Sequence, residues 1–373
     1  MERSSLRAMK ADSVAQLIMT GVPGKKLEPE TARLFRRVQP GAYILFGRNI
    51  ESATQLRRLI DDLRDLSDIE PIITIDQEGG RVSRLRLIGN EPPSAQQLRD
   101  KNDIDLIRRH GDITGRLLRL FGFNLDLCPV LDISFDDNSE NSLRGRCYGK
   151  TVEQVVRNAG AFNEAMREQG IASCGKHFPG YSAATSDAHY QLPRIDRTPE
   201  ELDQNELAVF RQFVHDVDSM MICHAWYPRF ESQPTPATVS RRIVTELLRN
   251  EFGFDGLVMT DDLDMGAILT GYRLDDTIRL CLAAGNDIMM LCHRVPEIET
   301  VHQILGTLPS DQIERAQHHI ANFKKNLSPP QKFSESAFQE INAKIADLRT
   351  AVVGEGEAGR VVTERQISPV ERF

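Results

Sequence analysis

The sequence predicts an α/β fold, a (β/α)8 barrel of the TIM type with a C-terminal helical extension. Three observations carry this. Eight short runs rich in Val, Ile, Leu and Met recur between residues 17 and 292. They are continuous rather than alternating, which suits strands covered on both faces, as in a parallel sheet. Segments with apolar residues at helical spacing lie between them, and eight alternations point to a closed barrel rather than a doubly wound sheet. The chain of 373 residues accommodates a barrel of about 250 plus additions.

The strands read, in order, LIMTG (17–21), AYILF (42–46), PIITID (71–76) and FNLDLC (123–128), then IASCGK (171–176), SMMICHA (219–225), GLVMTD (256–261) and DIMMLC (287–292). Between them, ATQLRRLIDDLRDL (53–66) has an apolar stripe at helical spacing. The helix over 151–170 starts at a Thr cap and stops at Gly170. Thr198, Pro199 and Glu201 form a capping box that opens a helix over 198–214, and another helix starts at Ser240. The longer gaps after strands three and four leave room for loops at the barrel mouth. Beyond residue 293 the chain reads as charged helix, over 311–327 and 334–353, followed by a tail with little periodicity.

Hydrophobic content of 40% supports a sizeable core, and the net charge of −8 argues against a nucleic-acid binder, which would show a basic stripe. No run approaches the roughly 18 apolar residues of a membrane span, and the first residues lack the apolar core of a signal peptide. The expectation is a cytoplasmic protein without nucleic-acid or membrane partners. The six scattered cysteines contain no C-x-x-C and read as reduced, buried thiols.

In such a barrel, polar residues at the C-terminal ends of strands form the active site. Strand three ends in Asp76, strand five in Lys176-His177, strand six carries His224 and strand seven ends in Asp261-Asp262. Asp261 and Asp262 are adjacent, so one is expected to face the mouth and the other away. DQEGGR (76–81) needs its two glycines for a tight, close-approaching backbone. It supplies Arg81, read as structural, and Arg84 follows. KHFPGYSAATSDAHYQLP (176–193) is a soft loop with Asp187 two residues before His189 and no second carboxylate nearby.

Taken together, GAYILFGRNIESATQLRRLIDDL, IDQEGGRVSRL, FNLDLCPVLDI, GKHFPG with SDAH, and GFDGLVMTDDLDMGAI resemble glycoside hydrolase family 3, in its β-N-acetylglucosaminidase branch. The resemblance covers residues 15 to about 295. It implies a catalytic barrel domain over 1–330, with 331–373 as C-terminal helix and tail. It implies a retaining exo-β-N-acetylglucosaminidase acting on small glycosides or peptidoglycan-derived muropeptides, with no cofactor and no metal. By the same resemblance Asp261 is the nucleophile and His189, oriented by Asp187, is the acid/base. Asp76, Arg84, Arg146, Lys176 and His177 are implied to bind the sugar. A histidine suits the acid/base task because its unperturbed pKa of about 6.5 lies near working pH. His224 is left as site wall or supporting residue, and Met265 as pocket lining or core.

This chain departs from the family pattern at Tyr181, Ser182 and Ala183, where the family usually has a His, a Gly and an acidic residue. Phosphate in place of water as acceptor is an alternative chemistry. A metal-dependent hydrolase using His177, His224, Asp76 and Asp261, and a non-catalytic glycan sensor, are the competing readings.

Overall fold

The computed structural model describes residues 14–138, 141–184 and 186–359. Eight parallel strands close a barrel in sequence order. They are β1 (Ile18–Gly21), β2 (Ala42–Leu45), β3 (Ile72–Ile75), β4 (Leu125–Asp126), β5 (Ala172–Phe178), β6 (Ser219–Ile222), β7 (Leu257–Asp262) and β8 (Ile288–Leu291). Each falls within or across one of the eight predicted runs. Closure is by β1 against β8, with Ile18 opposite Met289. Continuous apolar runs are explained by position: inward side chains fill the barrel and outward ones meet the helices, so almost every strand residue is buried.

The caps act where the sequence places them. Ser52 accepts from Gln55 N (3.2 Å) and Thr151 from Gln154 N (3.3 Å), opening helices Ala53–Asp65 and Val152–Glu168. Thr198 and Glu201 exchange bonds of 3.1 and 2.8 Å. The helix expected over 198–214 is, however, two: Pro199–Gln204 and Glu206–Phe213, broken at Asn205. The Asn205 side chain donates to the Glu201 carbonyl (2.8 Å), a local bond that competes with helical continuation. The segment after Ser240 is helical as expected, but Arg242–Glu251 is wound with i→i+5 bonds.

The C-terminal helices are Ser310–Lys325 and Glu335–Val353. The second lies on helix Ile104–Phe121, with the Phe338 ring 5.5 Å from Phe121. Arg349 reaches Glu91 at 3.0 Å. Of the predicted tail, a short turn of helix spans Glu355–Ala358, and residues 360–373 lie outside the described residues. All six cysteines are free and buried. Among the described residues no helix is long and apolar enough to cross a membrane.

Candidate active site

A pocket opens at the C-terminal ends of the strands. Seven of the eight predicted site residues line it: Asp76, Arg84, Arg146, Lys176, His177, His189 and Asp261. Asp187, the eighth, stands behind His189.

One wall is a lattice of opposed charges. Lys176 Nζ lies 2.7 Å from Asp76 Oδ1 and 2.8 Å from Glu78 Oε1. Glu78 also accepts two bonds of 2.7 Å from Arg146, and Arg84 approaches Asp76 at 3.4 Å. Burial pushes the carboxyls of Asp76 and Glu78 up, but the surrounding cations outweigh it and hold both below the usual carboxylate range. The ion pairs leave lone pairs on Asp76 and one Lys176 hydrogen for hydroxyl groups of a ligand. The backbone permits this wall because Gly79 and Gly80 adopt positive φ (96° and 55°). A Cβ at Gly79 would strike the Pro93 carbonyl, so the predicted close approach is real. Arg81 lies outside the pocket, bonded to the Ser142 carbonyl at 2.8 Å, which agrees with a structural role.

Two Asp–His pairs stand at the mouth. His177 Nδ1 is 2.7 Å from Asp132 Oδ2, and Asp132 also accepts from the amides of His177 (3.1 Å) and Tyr181 (2.6 Å). His177 Nε2 lies 3.4 Å from the Arg146 guanidinium. His189 Nδ1 is 2.6 Å from Asp187 Oδ1, which also takes the His189 amide at 3.0 Å. That leaves His189 Nε2 for the pocket. Burial raises the Asp187 carboxyl, but the bond from His189 and the charge of Arg81 hold it below its ordinary value.

Asp261 Oδ1 accepts from the Asp262 amide at 2.8 Å, and among the described residues the carboxylate has no other hydrogen bond. Asp261 and Asp262 are both among the residues that line the pocket. The β7–β8 register slips at this point: Ile288 pairs with Met259, but Met290 with Asp262. Asp262 nevertheless differs from its neighbour. Its Oδ1 is held by the amides of Asp264 (3.0 Å) and Cys292 (3.1 Å). Burial, with Asp264 and Asp261 nearby, pushes its pKa up to about 8.

His224 does not line the pocket. Its fully buried ring is fixed by Thr238 Oγ1 (2.6 Å) and the Asp262 carbonyl (2.9 Å), so it braces the end of β7. Met265 satisfies both expectations, being buried and in contact with the pocket. The four residues of the metal-dependent alternative are not assembled as ligands, since His224 is closed on Thr238 and Asp76 on Lys176. Among the described residues no three His, Cys, Asp or Glu side chains are grouped to hold a metal.

Sequence reasoning missed Glu78 and Asp132. Glu78 had a signal: two residues from Asp76 on extended backbone, it falls on the same side. Asp132 had a weaker one, an acid inside the apolar PVLDI.

A closed parallel barrel gathering carboxylates, cations and imidazoles at one mouth defines a barrel enzyme working at its strand C-termini. Residues 9–323 match the family profile described as Glycosyl hydrolase family 3 N terminal domain. The chain is 34% identical over 304 residues to a beta-hexosaminidase of Pseudomonas aeruginosa (strain LESB58), covering 80% of this chain and 90% of that one. It is 32% identical over 324 residues to a beta-hexosaminidase of Vibrio cholerae (serotype O1, strain M66-2), covering 86% and 92%. A solved glycoside hydrolase family 3 beta-N-acetylglucosaminidase from Paenibacillus sp. FPU-7 superposes with a TM-score of 0.82 at 29% identity, covering 91% of this chain and 68% of that one. The chain belongs to glycosyl hydrolase family 3.

Proposed function

We propose that the protein is a retaining β-N-acetylglucosaminidase that removes a terminal N-acetylglucosamine from small glycosides, peptidoglycan-derived fragments among them. The observation that supports it most is the sharing of one pocket by Asp261 on β7 and His189, bonded to Asp187, from the loop after β5. The relatives' activity points the same way.

In this reading Asp261 attacks the anomeric carbon while His189 Nε2 gives its proton to the departing oxygen. The glycosyl–Asp261 ester forms as the glycosidic C–O bond breaks. His189, now neutral at Nε2, takes a proton from water, and the water oxygen displaces Asp261 with net retention. Asp187 holds the tautomer and stabilises the imidazolium. Asp76, Arg84, Arg146, Lys176 and His177 bind the ring hydroxyls, with Glu78 and Asp132 fixing their geometry.

A second acceptor is favoured by the same pair. A neutral imidazole repels an incoming anion less than a carboxylate would, so phosphate can take the place of water. Turnover of 4-nitrophenyl N-acetyl-β-glucosaminide, with products resolved by NMR with and without phosphate, tests both. Free sugar released as the β-anomer is expected. An α-anomeric first product would rule out the double displacement, and N-acetylglucosamine 1-phosphate would identify the phosphorolytic branch.

A further inference from the structure

We propose that Tyr181 is a positioning residue for the acid/base pair: its hydroxyl clamps the backbone on both sides of Asp187 and holds His189 at the pocket. The inference rests on the acid/base reading given above.

The hydroxyl of buried Tyr181 donates to the Ser186 carbonyl (3.0 Å) and accepts from the Ala188 amide (2.8 Å). Ser186 and Ala188 are the two neighbours of Asp187. The tyrosine is itself fixed, because its amide donates to Asp132, whose other oxygen holds His177. A continuous chain of bonds therefore runs from the end of β5 to the Asp187–His189 pair. The opposite side of the segment is held as well. Gly266 and Ala267 donate to the carbonyls of His189 and Ala188, both at 3.0 Å. Gly266 is needed there, since a Cβ would lie within 2.7 Å of the His189 and Tyr190 carbonyl oxygens.

The physical reason for a tyrosine is specific to this chain. Ser182, Ala183 and Ala184 bring no bulky side chain to pack, so ordering this stretch costs chain entropy with little burial to offset it. Ser182 anchors its start by accepting from the Ile133 amide (2.9 Å), and Tyr181 anchors its end. The usual family residue at 181 is a histidine. An imidazole nitrogen is either donor or acceptor, whereas one hydroxyl oxygen is both at a single atom. Only the phenol can bridge a carbonyl and an amide from the same point.

Tyr181→Phe keeps the ring and removes the bridge. Its kcat/KM on methyl N-acetyl-β-glucosaminide, a poor leaving group, is expected to fall about tenfold, the scale of one or two net hydrogen bonds. The value on the 2,4-dinitrophenyl glycoside, which needs no protonation, should barely change. Amide exchange at Ala188 should accelerate while the β5 amides keep their protection. Equal losses on the two substrates, or unaltered protection at Ala188, would each overturn the proposal. His189→Ala, measured alongside, separates the two readings. If it shows no leaving-group dependence, the acid/base role falls and the clamp with it. If it does and Tyr181→Phe does not, the clamp alone falls.

Discussion

Asp132–His177 and Asp187–His189 have nearly the same internal geometry, 2.7 and 2.6 Å between Nδ1 and carboxylate. Their surroundings differ. Asp132 is buried in the segment after β4 and is saturated with donors, and the far nitrogen of His177 meets the Arg146 guanidinium. Asp187 and His189 come from a loop held by backbone bonds, and the far nitrogen of His189 has no hydrogen-bond partner among the described residues. An imidazole–carboxylate pair therefore carries no fixed role. What the second nitrogen faces is the difference between the two: a guanidinium for His177, the pocket for His189.

The largest expected effect sets the scale for both pairs. Asp261→Asn should lower kcat/KM by about 10³-fold or more on every substrate, as loss of a covalent nucleophile does. Substantial activity in that variant would remove the reason for either pair to stand where it does. Next, His189→Ala should cost about 10²–10⁴-fold on poor leaving groups and far less on activated ones, the range for general acid catalysis. His177→Ala should weaken both substrates equally, chiefly through KM. The same leaving-group pattern in both variants would erase the difference between the pairs.

Stability separates the regions too. Glu78→Ala removes the carboxylate bonded to Arg146 and one of the two on buried Lys176, and should cost about 3–5 kcal/mol in denaturant titrations. Asp187→Ala, in the loop, should cost only about 1 kcal/mol. A smaller loss at Glu78 than at Asp187 would invert the comparison.

A further contrast lies in pH dependence. Asp262 is raised to about 8, so the folded chain keeps a proton that the unfolded chain releases near its ordinary value of about 4. That contribution is complete at low pH and is lost as pH rises towards 8. Asp76, Glu78 and Asp187 have lowered values and act with the opposite sign, losing their contribution as pH falls. Asp262→Asn can still accept from the Asp264 and Cys292 amides. It should flatten the loss of thermal stability between about pH 5 and 8 and leave the acid-side loss intact. Unchanged slopes would mean that Asp262 is ionised in the folded protein.

The barrel was legible because its signal is local and repeated. Runs such as PIITID and DIMMLC declare two-sided burial within a few residues, and caps such as Thr151 and Thr198 are written in adjacent letters. The wall around Asp76, Lys176 and Arg146 was legible in membership but not in wiring. Glu78 joins residues 68 and 98 positions away, and no local pattern states that its carboxylate meets them. Asp262 shows a further limit: its bonds from the Asp264 and Cys292 amides depend on how β7 meets β8, which no local pattern states.

By itself, the sequence determined the eight-fold alternation, the helix caps and which side chains stand at strand ends, because these follow from nearest-neighbour chemistry and periodicity. The tertiary structure decided which of those groups touch, which nitrogen of each histidine remains open and where Tyr181 ties the loop. Those outcomes depend on hydrogen bonds and charges brought together across the barrel, and their directions exist only once the chain has closed on itself.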